Sequence, residues 1–541
     1  MIQSEKLTSA SPQPLAADAE GARAPAESQP AGVVRLEDRQ VIRVRAPLTG
    51  EALGQVPVMD ARRVREVVAR ARAAQAAWAE LSFAARGRKV LAFRDALVAQ
   101  AEELVELMAR ESGKPRQEGI LHEVAIVADL ATHFALHAGK ILAPHKRSSH
   151  FFPYTRSTVE YAPRGVVAVI GPWNFPLQLT MRDALAAVMA GNAAVVKPSE
   201  VTPLILQKTK EIWDSSGMPE DLLGVVTGYG PTGAALIDAG IDFVVFTGSV
   251  ATGRRVAAAC GERLIPCVME LGGKAPLIAC ADCDVERTAQ AILVGGFANS
   301  GQVCISVERV YAHSDIYDEL VDRVVELAGK LKIGNPAVDH VDIGAITFPH
   351  QIEVAERLIA DAVSKGAELR CGGKRVEGQP ASFEPTVLTG CDHGCKVMTE
   401  EIFGPIVPFM RVSSADEAIR LANDSHLGLN AYVFTEDPER GRSIASKLEA
   451  GSVMVNDTLV NAAMAEMPFG GIKQSGFGRV LGEEGLRDMC NVKHVCVERF
   501  KMPRRHPLAF PYTERTYGVL LGALRALYQK GGALERLRRL L

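Results

Sequence analysis

The stretch FANSGQVCIS, residues 297–306, sets Cys304 behind a Ser-Gly-Gln-Val run that carries no charge. Small, uncharged neighbours are odd company for a core cysteine and reasonable company for a reactive one, whose thiolate could attack an electrophilic carbon. A second candidate lies upstream, where Gly228, Gly230 and Gly233 spell G-x-G-x-x-G after an apolar run, the outward form of a dinucleotide fingerprint. That fingerprint also wants an acidic residue about twenty positions on, at the end of the next strand, and here the next strand, DFVVFTGS, ends in Thr247, Gly248 and Ser249. Gly248 and Gly253 open a further helix whose N-terminal amides could hold a phosphate equally well. A dinucleotide therefore fits, but not in the standard mode. The cysteine clusters CADC (Cys280, Cys283) and CDHGC (Cys391, His393, Cys395) lack the regular spacing of a zinc ribbon, so no metal site is expected.

Chemistry of this kind needs elements to position it. Five short β-rich runs, GVVAVIGP (165–172), AAVVKP (193–198), LLGVVTG (222–228), DFVVFTGS (242–249) and CVMELGG (267–273), alternate with helical stretches. This pattern predicts βαβ units feeding a parallel, helix-covered α/β sheet, with ligands beyond the C-terminal strand ends. Before them, apolar residues recur at helical spacing from Asp60, a natural N-cap, through Val64, Val67, Val68, Ala71, Ala74 and Trp78. A second helix is expected through Val90, Phe93, Leu97, Ala101 and Leu104, stopping at Gly113 and Pro115. After residue 275 a second α/β stretch runs to about 487.

A chain of 541 residues exceeds what one hydrophobic core usually serves, so at least two domains are expected. Lys and Arg total 61 against 64 Asp and Glu, a net charge of −3, which argues against a nucleic-acid partner. Ten scattered cysteines suit reduced thiols in a cytoplasm. Residues 1–35, rich in Ala, Pro and Ser, read as a disordered leader without a signal-peptide core. No uncharged apolar run is long enough to be read as a membrane span. The tail, 501–541, is basic and then helical; packing on the protein or a partner subunit is the expected role, with a membrane-surface helix as the alternative.

Seven motifs, GPWNFP (171–176), KPSE (197–200), FTGS (246–249), MELGGKAP (269–276), GQVC (301–304), EEIFGP (400–405) and PFGGIKQSGFGR (468–479), together closely resemble the aldehyde dehydrogenase superfamily, in order and spacing, over roughly residues 36–498. The resemblance implies an aldehyde dehydrogenase-like fold. Its parts would be a Rossmann-like NAD(P)-binding domain (36–141 and 161–270), a catalytic α/β domain (271–487) and a small β arm for oligomerisation (142–160 and 488–500), in a homodimer or homotetramer. It also implies NAD(P)-dependent oxidation of a small-molecule aldehyde through a cysteine thiohemiacetal and thioester.

Site residues follow from the same resemblance. Cys304 matches the nucleophile, Asn174 the oxyanion donor acting with the Cys304 backbone amide, and Glu270 the general base for thioester hydrolysis. Family members that pass the acyl group to coenzyme A generally lack this glutamate, which favours an acid-forming enzyme. Gly248 and Ser249 match the phosphate turn, and Gly230 and Pro231 border the adenine. Lys197 and Glu200 match contacts to the adenosine ribose hydroxyls, where Glu200 would repel a 2′-phosphate, so NAD is favoured with NADP possible. Glu401, Phe403 and Gln351 match nicotinamide-ribose contacts, and Trp173, Ser199, Gly253 and Leu271 complete the cofactor set.

The substrate is less determined. Leu177, Met181, Val303, Ile305, Leu459 and Met464 form a mostly apolar lining for the tunnel to the thiol. Arg182 stands where succinate-semialdehyde dehydrogenases carry one of two carboxylate-binding arginines, but Ala298 replaces the other. Within the superfamily, ANSGQVCISVERVYA (298–312) and the tail beyond 500 most resemble bacterial succinate-semialdehyde dehydrogenases, so succinate semialdehyde is the leading substrate, with an apolar aliphatic or aromatic aldehyde as the alternative, Arg182 then pairing with a neighbouring carboxylate. A thioester-forming hydrolase without redox activity and a catalytically silent scaffold are the readings from other classes.

Overall fold

The structure, a computed structural model, describes residues 40–149, 152, 154–500 and 510–529. The leader expected over 1–35 lies outside the described residues, as does the expected tail over 501–509 and 530–541.

The five runs become the strands Val166–Ile170, Ala193–Lys197, Leu223–Val225, Phe243–Thr247 and Cys267–Glu270. They lie in one sheet, in the spatial order Cys267–Glu270, Phe243–Thr247, Val166–Ile170, Ala193–Lys197, Leu223–Val225, each pair parallel. Every residue of Val166–Ile170 and Ala193–Lys197 is buried, which is why these strands read as continuous apolar runs rather than alternating ones. The register sets Ile170 beside Lys197 and Phe246, and Thr247 beside Glu270, so one edge of the sheet gathers the ends of four strands. The short strand Gly476–Phe477 closes this sheet antiparallel to Cys267–Glu270.

The helix Ala61–Ala79 begins at Asp60, whose carboxylate accepts from the Arg63 amide at 2.8 Å, and it buries Val64, Val67, Val68, Ala71 and Trp78. The second helix expected through Leu104 is instead two, Phe83–Ala99 and Ala101–Glu111, broken where Gln100 takes φ −108° and ψ 19°. Leu97 and Leu104 are both buried across the break. The apolar period reported which residues face the core, not that the backbone stays continuous.

Arg116–Ile141 is long and apolar enough in composition to cross a membrane, yet Val127, Leu130, Ala131, Phe134 and Ala138 on it pack into the core. Its first part holds a π-helical turn, Gly119–Val124, which carries the buried Glu123.

A second sheet of seven strands follows Ala275, with Ala275–Ala279, Val307–His313 and Asn430–Phe434 at its centre, parallel to one another. Its strand Val307–His313 starts just after the Cys304 loop, and its strand Ala275–Ala279 just after the Glu270 turn. A three-stranded antiparallel sheet pairs Cys490–Glu498 with Thr155–Pro163, and that strand with His145–Arg147.

Candidate active site

Two glycines bring the two sheets together at the reactive segment. A side chain at Gly273 would strike the carbonyl of Cys304 at 2.0 Å, and one at Gly272 would strike the Glu401 carboxylate at 2.5 Å. Only glycine lets the end of the Glu270 strand approach both so closely. Glu401 then accepts from the Gly273 amide at 2.9 Å.

Cys304 is half-buried. Its thiol is pushed up to about 12, first by burial and then by the carboxylates of Glu270 and Glu401, with Arg182 acting the other way. Val303 and Ile305 on either side are buried, and the Ile305 carbonyl is held by the Tyr432 hydroxyl at 2.6 Å. Just upstream, Asn299 and Ser300 take left-handed backbone angles, φ 50° and 57°. Such strain costs about 1–3 kcal/mol per residue and persists only where surrounding contacts impose it. Here the Glu118 carboxylate accepts from the Asn299 amide at 2.9 and 3.0 Å, while Gln302 donates to the carbonyls of Asn299 and Ala345 and accepts from the Thr347 amide.

Asn174 is buried, and its side-chain amide donates to the Gln302 carbonyl at 2.9 Å, two residues before the sulfur-bearing position. Its own carbonyl accepts from Lys114 Nζ at 2.8 Å and from Asn299 Nδ2 at 3.0 Å. Lys114 is fully buried, lies 2.9 Å from Glu123, and sits over the Phe175 ring at 3.7 Å. Glu123 in turn accepts from the amides of Leu177 and Gln178 at the start of the helix Gln178–Met189. One buried ion pair thus fixes the Asn174 carbonyl and the backbone that follows it.

Glu270 is buried at the end of its strand, and its Oε1 has no hydrogen-bond partner among the described residues. Burial pushes its carboxyl up to about 8, with Arg182 and Arg479 opposing and Asp183 reinforcing. Arg182 is itself bound to Asp183, Nε to Oδ1 at 2.8 Å and Nη2 to Oδ2 at 3.1 Å, both residues buried; its Nη1 alone lacks a partner. Of the expected lining, Leu177, Met181, Val303 and Ile305 are buried and Leu459 packs against their cluster. Met464, just after the turn Val460–Ala463, is 43% exposed.

The remaining predicted residues occupy turns at the strand ends. Lys197 is buried, donates to the Pro198 carbonyl at 2.9 Å and lies 3.9 Å from the more exposed Glu200. Ser199 accepts from the Val201 amide. Ser249 caps the helix Val250–Glu262, whose free first-turn amides suit a phosphate, and Gly253 lies against Leu271. Gly230 and Pro231 begin the helix Gly230–Ile237, and the space beside Gly230 is open. Phe403, at φ 51°, meets Trp173 edge-on at 5.3 Å, while Gln351 donates to the Ile402 carbonyl. The phosphate-suited start of the helix Val250–Glu262, with Lys197 and Glu200 at another strand end of the same sheet, fits a nicotinamide dinucleotide.

The sequence model of the Aldehyde dehydrogenase family matches residues 34–495. The chain belongs to the aldehyde dehydrogenase family. Among its relatives is a 4,4'-diapolycopene aldehyde oxidase of a Methylomonas species, 37% identical over 91% of this chain and 92% of that one. A mitochondrial succinate-semialdehyde dehydrogenase of Arabidopsis thaliana is 35% identical over 85% of this chain and 87% of that one. The crystal structure of succinate-semialdehyde dehydrogenase from Burkholderia pseudomallei is similar with a TM-score of 0.82 at 34% identity, covering 85% of this chain and 94% of that one. As an aldehyde dehydrogenase the protein is an NAD(P)-dependent oxidoreductase acting on aldehydes.

Several aldehyde dehydrogenase site residues escape the sequence reading. Lys114 and Glu123 were passed over, the first as part of a helix stop in ESGKP. Glu308 was missed as well: it pairs with Lys274 at 2.9 Å and accepts from the amides of Ile402 and Phe403, which holds the turn that carries Glu401. A charged residue inside an apolar segment, as in Lys274 of GGKAPLIA, is the signal that could have found this pair.

Proposed function

We propose that this enzyme oxidises an aldehyde with an apolar body to the carboxylic acid, with Cys304 as nucleophile. The Cys304 thiolate attacks the carbonyl carbon and forms a C–S bond, while the oxyanion is met by Asn174 Nδ2 and the Cys304 amide. The bound cofactor supplies the hydride acceptor. Water then attacks the thioester carbonyl as Glu270 takes its proton, the C–S bond breaks, and the thiolate is restored. The unpartnered Glu270 Oε1 and its raised pKa support the base role. Glu200 beside Lys197 supports NAD over NADP. The domain division, the cytoplasmic setting and a homodimer or homotetramer joined through the three-stranded sheet belong to the same proposal; ten free cysteines support a reducing compartment.

One observation carries the substrate reading: the guanidinium of Arg182 is already neutralised by Asp183 through two hydrogen bonds. Its neighbours Leu177 and Met181 are apolar and buried. A name-level parallel exists in the 37% identical relative, called a diapolycopene aldehyde oxidase. Succinate semialdehyde remains the second reading, favoured by the free Arg182 Nη1 and by the succinate-semialdehyde dehydrogenases among the relatives. The test is kcat/KM for succinate semialdehyde against a neutral aldehyde of equal length, with NAD and with NADP. A higher value for the neutral aldehyde with NAD is expected; a preference for succinate semialdehyde that Arg182→Leu abolishes would replace the first reading with the second.

A further inference from the structure

The helix Glu514–Tyr528 stands apart from every core: none of its residues is buried. At 100° per residue, Tyr517, Leu520, Leu521, Leu524, Leu527 and Tyr528 fall within an arc of about 120°, while Arg515 and Arg525 lie off that arc. The apolar side is open, with Tyr517 64%, Leu524 51% and Tyr528 64% exposed. Charge distinguishes this segment from the body. Residues 499–541 hold ten Lys and Arg against two Glu in a chain of net charge −3, so the remainder is acidic and the positive charge is concentrated here.

We propose that the helix Glu514–Tyr528 docks the enzyme on an anionic lipid surface, with its Leu and Tyr face in the headgroup and acyl boundary and Arg515 and Arg525 toward the phosphates. An exposed apolar arc alone would suit any partner. Its combination with a locally dense positive charge and aromatic side chains at both helix ends suits an anionic bilayer surface. At 15 residues with three charged side chains, the helix is too short and too polar to span, since a crossing takes about 20 apolar residues. Docking in the plane of the interface is what its length and pattern permit. The proposal rests on this segment alone and is independent of which aldehyde the site accepts.

The test is sedimentation of the full-length enzyme with phosphatidylcholine vesicles containing about one third phosphatidylglycerol, and with pure phosphatidylcholine vesicles. The enzyme is expected to pellet with the anionic vesicles, to stay in solution with the neutral ones, and to be released in part by high salt. Leu520→Asp/Leu524→Asp is expected to lose at least about tenfold in vesicle affinity while keeping turnover of a soluble aldehyde, because both residues are exposed and outside the active site. Equal recovery with neutral and anionic vesicles, or no recovery with either, would overturn the proposal. So would a variant that pellets unchanged, or one whose only change is a smaller oligomer in light scattering, which would assign the face to a second copy of the chain.

Discussion

Burial pushes the pKa of both Glu270 and Cys304 above its ordinary value. The thiol, at about 12, is almost wholly protonated at neutral pH, and the carboxyl, at about 8, is mostly so. Both values have burial as their first cause, so both groups gain from whatever positive charge or solvent reaches them during the cycle. Since Glu270 must be ionised to take a proton from water, kcat is expected to rise with pH through an apparent pKa near 8. In Glu270→Gln that limb disappears from the pH profile, and a limb that survives would assign it to another group. Cys304→Ser is expected to abolish aldehyde oxidation while NAD binding stays measurable by calorimetry. Removing the oxyanion donor with Asn174→Ala is expected to lower kcat about 10²–10³-fold with a much smaller change in KM.

The next scale is that of the elements holding these groups. Strands and their turns were legible because burial on both faces writes itself as unbroken apolar runs, and four of the seven motifs, GPWNFP, KPSE, FTGS and MELGGKAP, sit where those runs stop. Gln100 shows what was not legible: a break in a helix that keeps its apolar face leaves no trace in the period. The Lys114–Glu123 pair was hidden for another reason. Its partners, Asn174, Leu177 and Gln178, are some 50 or more residues away in sequence and are met through backbone atoms, which have no side-chain signature. If Lys114 and Glu123 position Asn174, then Glu123→Gln should reduce kcat with little effect on KM, and Lys114→Arg should recover more activity than Lys114→Met. Equal losses in the two lysine variants, tracking loss of thermal stability, would mark the pair as merely structural.

For the whole molecule, the carboxyls of the buried Glu111 and Glu270 and of the half-buried Glu401 are all pushed up to about 8 from an ordinary 4.5. Between those values the folded chain binds more protons than the unfolded one, so each group's contribution is full below 4.5 and is lost as pH rises through 8. The melting temperature of the cofactor-free protein is therefore expected to fall between about pH 6 and about pH 9; a constant or rising Tm over that interval would contradict the burial of these acids. The same three residues tie stability to function, because two of them, Glu270 and Glu401, stand beside Cys304. The most direct measurement of the central claim, oxidation through a Cys304 thioester that Glu270 helps water to cleave, is to mix Glu270→Gln with aldehyde and NAD and analyse the protein by mass spectrometry during the NADH burst. The predicted result is one NADH per active site and an acyl mass on the peptide carrying Cys304, followed only by slow residual turnover. Steady turnover without that adduct, or a burst with the acyl group on another residue, would contradict it.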